Sequence, residues 1–307
     1  MTDTLHPPPG GDSAASGRRD DWRIDRARAR AGGAGAIPAE ALEIVDETAS
    51  TNSDLMARMK GLPREGAASG VHAVRAAYRQ TAGRGRQGRS WHTTPGHALT
   101  FSLACVLPRP LAGLAGLSLA TGVAVVDGLV RLAPNEAARF ALKWPNDVLL
   151  DGRKLAGILI ETAWSTQSAS AVVIGVGINV RRDEALEAEL DAAAAAMPAQ
   201  TRATPPAALS QALPNANLTD TLAVVVKALT EMIERFGTGG FAAFVDRWNA
   251  CHAYADREVV LLEKGTELAR GVATGVDGLG QLLLSTDTGV QAIATGDVSL
   301  RLAGDTP

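Results

Sequence analysis

The run Gly83-Arg84-Gly85-Arg86-Gln87-Gly88-Arg89-Ser90-Trp91 places three guanidinium groups and three residues without a side chain in one short stretch, closed by an indole. Arginine presents a planar fork of donors that fits phosphate and carboxylate oxygens, and glycine lets backbone N–H groups approach the same ligand. The pattern predicts an anion-binding loop. Arg/Gly-rich runs also occur as solvated or loosely nucleic-acid-binding segments, and glycine serves ordinary turns. The flanks decide between these readings. Val71 to Tyr78 is rich in apolar residues and Ala98 to Val106 alternates as a strand does, which suspends the loop between two strands.

Further polar segments punctuate the apolar ones. Ser50-Thr51-Asn52-Ser53 follows a short strand at Leu42 to Asp46 and precedes Leu55-Met56-Met59, so its hydroxyl and amide groups stand at a helix mouth. Phe140 to Trp144 reads as a strand carrying Lys143 into Pro145-Asn146-Asp147. Val148 to Leu150 then meets Asp151-Gly152, a tight-hairpin dipeptide, and returns as Lys154 to Ala163. Ala171 to Val180 is apolar enough for a central strand. Its glycines admit a ligand or a neighbouring backbone, and Asn179 is its polar exception. Each residue also has a purely structural reading: Ser50 as a cap, Trp91 and Trp144 as core aromatics, Asn179 as a partner of buried backbone, Lys143 as a solvated strand residue.

Covering elements follow from the same patterns. Leu111 to Ala133, bounded by Pro110 and Pro134, reads as a long scaffold helix. Ala192 to Asn217 is Ala/Pro/Gln-rich and reads as a poorly ordered insertion. One helix begins at Leu218-Thr219-Asp220 with an apolar stripe through Leu222, Val225, Val226, Leu229, Ile233 and Phe236, and a second spans Gly240 to His252. Beyond Asp256 short strands alternate with turns, which predicts a small all-β unit over 256–303. Residues 1–38, dominated by Pro, Gly, Ser, Arg and Asp, are expected to be disordered apart from a short helix near Trp22 to Arg30, which leaves 39–255 as the ligand-binding unit.

A chain of 307 residues with 46% hydrophobic residues can bury a sizeable core, and the formal charge of -3 argues against a general polyanion-binding face. The loop arginines are therefore a local device for a small anion. Cys105 and Cys251 alone fit reduced thiols in a cytoplasmic protein, and no metal-ligand spacing is visible. No apolar run is read as a membrane span and no secretory signal as present.

Gln80 to Arg89, Lys143 to Asp147, Lys154-Leu155-Ala156-Gly157-Ile158-Leu159-Ile160-Glu161 and Gly175-Val176-Gly177-Ile178-Asn179, taken in order, resemble a bacterial biotin protein ligase from about Glu43 to Leu302. The resemblance implies an α+β fold: a mixed/antiparallel sheet flanked by helices, of the class II aminoacyl-tRNA synthetase-like catalytic type, with a small C-terminal SH3-like β-barrel. It implies activation of biotin with ATP and Mg2+ to biotinyl-5'-AMP, then transfer of biotin to a lysine of the biotin carboxyl carrier protein of acetyl-CoA carboxylase. On it, Ser50, Thr51, Asn52 and Gln80 meet the ureido head of biotin, and Arg84, Gly85, Arg86 and Gly157 line its chain and carboxylate. Lys154 bridges carboxylate and phosphate, and Lys154 and Arg86 are the catalytic cations. Arg89, Trp91, Lys143, Asn146, Asp147 and Asn179 serve ATP, with Trp91 over the adenine, Asn179 at its edge, and Asp147 near the ribose or the magnesium.

Two departures from the family pattern stand out: Tyr78 at a strand position where an acidic residue is common, and the lack of an aromatic residue in Ala192 to Asn217 to close over an adenylate. The winged helix-turn-helix of ligases that double as repressors is not legible, so a monofunctional enzyme without operator binding is expected. A lipoate protein ligase-like enzyme and a non-catalytic biotin-binding protein are the competing readings. A homodimer is left open.

Overall fold

The computed structural model describes residues 22–195, 204–263, 266–294 and 298–303. Two β-sheets dominate them. In the larger, β1 (Leu42–Thr48), β2 (Gly70–Gln80), β3 (Ala98–Leu107), β4 (Phe140–Lys143), β5 (Asp147–Leu150), β6 (Arg153–Ser165) and β7 (Ser170–Asn179) lie in the order β1-β2-β3-β7-β6-β5-β4. β1 and β2 are parallel and all other neighbours antiparallel, so the sheet is mixed.

Period-two alternation turns successive side chains of the fully buried β3 to opposite faces. Leu103 and Cys105 join the main core, whereas Ala104 and Val106 join a smaller cluster with Leu55, Met59 and Trp164. Helix α2 (Thr51–Lys60) covers that second face, and Trp164 donates its indole N–H to Met59 O across 2.9 Å. On the main face lie α3 (Leu117–Leu132) and α5 (Leu218–Gly239). They approach so closely at Gly128 that an added Cβ would stand 3.0 Å from Val224 O.

The expected helix over Leu111 to Ala133 is broken. A 3-10 turn at Leu111–Leu114 precedes α3, because Gly116 adopts φ 76 and the Phe241 ring fills the space a side chain would need. Leu111–Leu132 does have the length and hydropathy of a membrane span, contrary to the sequence reading, yet much of it is buried between the sheet and α5 as a core element. Likewise Gly240 to His252 divides into a 3-10 turn at Phe241–Phe244 and the short α6 (Val245–Ala250).

Disorder to residue 38 was too broad an expectation. Residues 1–21 lie outside the described residues, but from Trp22 onward the chain is a folded strap containing α1 (Arg26–Ala31). Trp22 meets Tyr78 edge-on at 4.9 Å, Ile24 N–H donates to Tyr78 Oη, and Ala29, Ala34 and Ile37 are buried. A few well-placed apolar and aromatic side chains suffice against a preformed core, which composition averaged over the whole stretch conceals.

The Ala/Pro-rich segment is also more ordered than expected on both sides of 196–203, which lie outside the described residues. α4 (Glu184–Ala195) precedes them. After them, Lys154 N–H donates to Pro205 O, Ala207 N–H donates to Lys154 O, and Ala207, Ala208 and Leu209 are buried. Backbone pairing with β6 supplies order that side-chain composition does not announce.

The second sheet comprises β8 (Arg257–Glu263), β9 (Thr266–Val276), β10 (Leu282–Thr286), β11 (Gly289–Ile293) and β12 (Val298–Leu302), all antiparallel, in the order β11-β10-β9-β8-β12. It is the expected small C-terminal β unit. Trp144 Nε1 donates to Gly280 O, tying it to the end of β4.

Candidate functional site

The sequence-predicted residues converge on one cleft. Ser50, Thr51, Asn52, Gln80, Arg84, Gly85, Arg86, Arg89, Trp91, Lys143, Asn146, Asp147, Lys154, Gly157 and Asn179 all line it. No single stretch of sequence supplies them: the mouth of α2, the β2–β3 loop, the β4–β5 turn, and the starts or ends of β6 and β7 meet above the sheet.

At one end Ser50 caps α2 by accepting from Ser53 N–H, so its structural role is real. Thr51 N–H donates to Gln80 Oε1 at 2.8 Å, and Thr51 Oγ1 lies 3.1 Å from that oxygen and 2.7 Å from Ser102 Oγ. Ser102 in turn donates to Asn52 Oδ1. With its carbonyl oxygen engaged, Gln80 keeps its amide NH2 as a donor, and the buried chain of small polar groups can fix a neutral head with its own donors and acceptors. Gly175 makes room for it, since a Cβ there would stand 2.3 Å from Asn52 Oδ1.

Over the middle of the cleft the glycine/arginine loop is a small closed hairpin. Trp91 N–H donates to Gly83 O, Gly85 N–H donates to Arg89 O, and Arg84 bridges Ser90. Its side chains diverge. The Arg86 guanidinium donates to Asn146 Oδ1 at 3.4 Å across the cleft, whereas Arg84 pairs with Glu161 at 2.7 Å. Trp91 lies against β6 and β7, where a Cβ on Gly177 would meet its Cε2 at 2.4 Å and one on Gly157 its Cζ3 at 3.0 Å. Glycine at these strand positions is what opens a seat for the indole.

Lys154 projects from β6 beside that indole, with Nζ 5.6 Å from the ring centroid and 2.7 Å from Asp147 Oδ1. Asn179 donates to Lys154 O and Ala207 O, the backbone-satisfying role foreseen as its structural alternative. Asn146 donates to Ile158 O and so locks the β4–β5 turn on β6.

Lys143 is the most buried of the cations, 4% exposed, and not the solvated strand residue of the alternative reading. It donates to Thr204 Oγ1 at 2.6 Å and lies 5.7 Å from the Tyr254 ring. Burial, then the neighbouring Arg301 charge, pushes its ammonium down to about 7, with Asp147 opposing. Trp144 is a core aromatic, 1% exposed.

Sequence reasoning missed Ser102, Glu161, Thr204, and Leu300 with Arg301. A serine inside the apolar run of β3 and an acid ending the apolar start of β6 were visible signals. The approach of β12 to the cleft was not, because it depends on how the two sheets dock. Three or more His, Cys, Asp or Glu side chains placed to hold a metal do not occur among the described residues.

The fold and this cleft define a catalytic domain of the class II synthetase-like α+β type, with a C-terminal β unit at its edge. Residues 66–179 match the biotin/lipoate A/B protein ligase family, and residues 255–301 match the biotin protein ligase C terminal domain. The biotin--[acetyl-CoA-carboxylase] ligase of Paracoccus denitrificans is 35% identical over 255 residues, covering 82% of this chain and 97% of that protein. The bifunctional ligase/repressor BirA of Escherichia coli (strain K12) is 34% identical over 224 residues, or 73% of this chain, which spans 65% of the length of that relative. Among solved structures, the biotin protein ligase from Aquifex aeolicus in complex with biotin and ATP superposes with a TM-score of 0.65 at 27% identity, covering 86% of this chain and all of that one. The chain belongs to the biotin protein ligase family.

Proposed function

We propose that the protein activates biotin with ATP to biotinyl-5'-AMP, releasing pyrophosphate, and transfers biotin to a lysine of the biotin carboxyl carrier protein of acetyl-CoA carboxylase. One observation carries this reading: Lys154 stands beside Trp91 and Asp147 in the cleft that the polar pocket at Ser50–Asn52 and the arginine loop also line. The chemistry requires such a layout. Two anions, a carboxylate and a triphosphate, must come together before the α-phosphorus is attacked, and fixed cations offset their repulsion and the charge that develops.

In this assignment Ser50, Thr51, Asn52 and Gln80 hold the ureido head, and Gly85, Arg86 and Gly157 follow the chain to the carboxylate. Arg84 contributes as part of the loop, with its guanidinium engaged by Glu161. Lys154 reaches carboxylate and α-phosphate together. Trp91 covers the adenine, and Arg89, Lys143, Asn146 and Asn179 complete the nucleotide side. Residues 39–255 perform the binding, and the β unit of 256–303 contributes Arg301 at the nucleotide end. Magnesium arrives with the triphosphate: the ion commonly binds one or two carboxylates plus phosphates, and Asp147 is a carboxylate in the right wall. It would neutralise phosphate charge there.

A cytoplasmic location suits the acceptor and the free thiols. The near-neutral charge balance supports an enzyme that does not bind operator DNA. The test is incubation with ATP, magnesium and either biotin or lipoate, with the adenylate read by mass and pyrophosphate by a coupled assay, followed by addition of a carrier domain. Biotinyl-AMP and a biotinylated carrier are expected. Lipoyl-AMP alone would transfer the assignment to lipoate, and biotin binding without pyrophosphate release would reduce the protein to a binder.

A further inference from the structure

Glu161 meets no substrate in the scheme above, where it appears only as the partner of Arg84, yet one of its carboxylate oxygens joins two walls of the cleft. Oε2 accepts from Arg84 Nη2 at 2.7 Å and from Asn52 Nδ2 at 2.9 Å. Arg84 belongs to the closed base of the glycine/arginine loop, held by Gly85 N–H to Arg89 O and Trp91 N–H to Gly83 O. Asn52 belongs to the mouth of α2 and is itself fixed by Ser102 and by donation to Leu159 O. Gly175 closes the far side of its amide. A displacement of the loop base therefore strains a hydrogen-bond chain that runs through Glu161 into the polar pocket.

The placement of charge is consistent. A carboxylate near an anion-binding loop opposes anion binding unless it is matched, and Arg84 matches it. The side chains of Glu161 and Arg84 are 25% and 44% exposed, so the pair alone is a modest interaction. Sharing the same oxygen with the buried Asn52 couples it to a rigid element and gives it direction.

We propose that Glu161 is a positioning residue: it clasps the base of the glycine/arginine loop to the mouth of α2, and so sets how long the loop stays over a bound acyl-adenylate. Glu161 acts through Arg84 and Asn52. The ligand half of this proposal rests on the adenylation reading above, whereas the clasp itself does not.

Two arms of one experiment separate them. In the free chain, amide hydrogen exchange across residues 83–91 is compared for the parent, Glu161→Gln, Glu161→Ala, Arg84→Ala, and the swap Arg84→Glu with Glu161→Arg. Exchange should be faster by about three- to tenfold in the alanine variants. It should be intermediate in Glu161→Gln, which keeps an acceptor for Asn52, and should return toward the parent in the swap. Thermal melting identifies any variant that has lost its fold, and Arg84→Ala leaves the Asn52 contacts in place, so one informative comparison survives. In the second arm, each variant is loaded with biotin, ATP and magnesium, and the release of bound adenylate should accelerate in the same order. Unchanged exchange over 83–91 in folded Glu161→Ala and Arg84→Ala, or a swap no better than either single change, overturns the clasp. Absence of adenylate in the parent sinks the functional reading and leaves the exchange arm to judge the clasp.

Discussion

Lys154 Nζ lies 2.7 Å from Asp147 Oδ1, and the lysine side chain runs along the short β5–β6 ladder to reach it, since Lys154 pairs in register with Leu149 near the turn and Asp147 with Gly157 at the other end. Lys154 is held by its backbone as well, donating to Pro205 O and accepting from Ala207 N–H. The strand that carries the ammonium is thus fixed before any ligand enters, and Asp147 and the Trp91 ring hold its head in the cleft, an arrangement that favours stabilisation of developing charge. Lys154→Ala should lower the rate of biotin-dependent pyrophosphate formation by on the order of a hundredfold or more, read in a single turnover. Asp147→Asn should have a smaller effect, since the ammonium stays in place with one partner fewer. An Ala variant that turns over at the parental rate removes Lys154 from the chemistry.

The cleft was legible in the sequence to an unequal degree. The Gly/Arg loop, the lysine at the start of β6 and the small polar cap at α2 announce themselves because their residue types are costly or unusual where they stand. Trp91 was readable as an aromatic, but its seat on Gly157 and Gly177 needed the pairing of β6 with β7. Strand order could not be read from periodicity: β3 is buried along its whole length, and its sequence carries no mark of which neighbours flank it. The short helix near Trp22 to Arg30 was legible, but the docking of the strap at Trp22 to Ile37 and the order of the segment at 204–217 escaped because long-range contacts set them, not local pattern. The pairing of Arg84 with Glu161 escaped for the same reason.

Gly177→Ala tests the indole seat. The new methyl would stand 2.4 Å from Trp91 Cε2, a contact that only displacement of the ring can relieve. The KM for ATP should rise by about tenfold, as in Trp91→Ala, and the double substitution should cost little more than either alone, because both remove one interaction. Additive losses would show that Gly177 matters for some other reason.

Trp22→Ala tests the strap. The ring meets Tyr78 at 4.9 Å and packs on Gly96, where a Cβ would come within 3.1 Å of it, and the Arg23 guanidinium sits 5.0 Å from the Tyr78 ring centroid. Losing the aromatic pair and its burial should lower stability by about 1–3 kcal/mol in urea titration. A midpoint equal to the parent's would mean that the strap is dispensable.

His252 predicts an acid limb in the stability profile. Its ring stacks on Trp248 at 4.7 Å, both ring nitrogens lack a hydrogen-bond partner among the described residues, and burial pushes its pKa from the ordinary 6.5 down to about 4, with Asp256 opposing. Above 6.5 the imidazole is neutral in both states. Between 6.5 and about 4 the unfolded chain takes a proton that the folded chain refuses, so stability falls as pH falls through that window. His252→Phe, which keeps a ring on Trp248, should flatten the limb in denaturant midpoints measured from pH 7 to 4. An unchanged slope would assign the acid sensitivity to carboxylates instead.

Lys143 gives the corresponding prediction on the alkaline side. Its folded pKa, lowered to about 7 from the ordinary 10.5, lies below the unfolded value, so between those two the unfolded chain binds more protons. Stability from this residue is complete only above about 10.5, declines as pH falls toward 7, and is independent of pH below that. At neutral pH the protein therefore carries most of the cost of burying this amine, and a bound phosphate would offset it by offering a partner. Lys143→Met retains the buried stem and cannot titrate. Its denaturant midpoint should gain on the parent's as pH is lowered from 10 to 7, apart from a constant offset for the lost bond to Thr204. Parallel profiles across that range would show that Lys143 keeps an ordinary ammonium and that its burial is better compensated than the geometry implies.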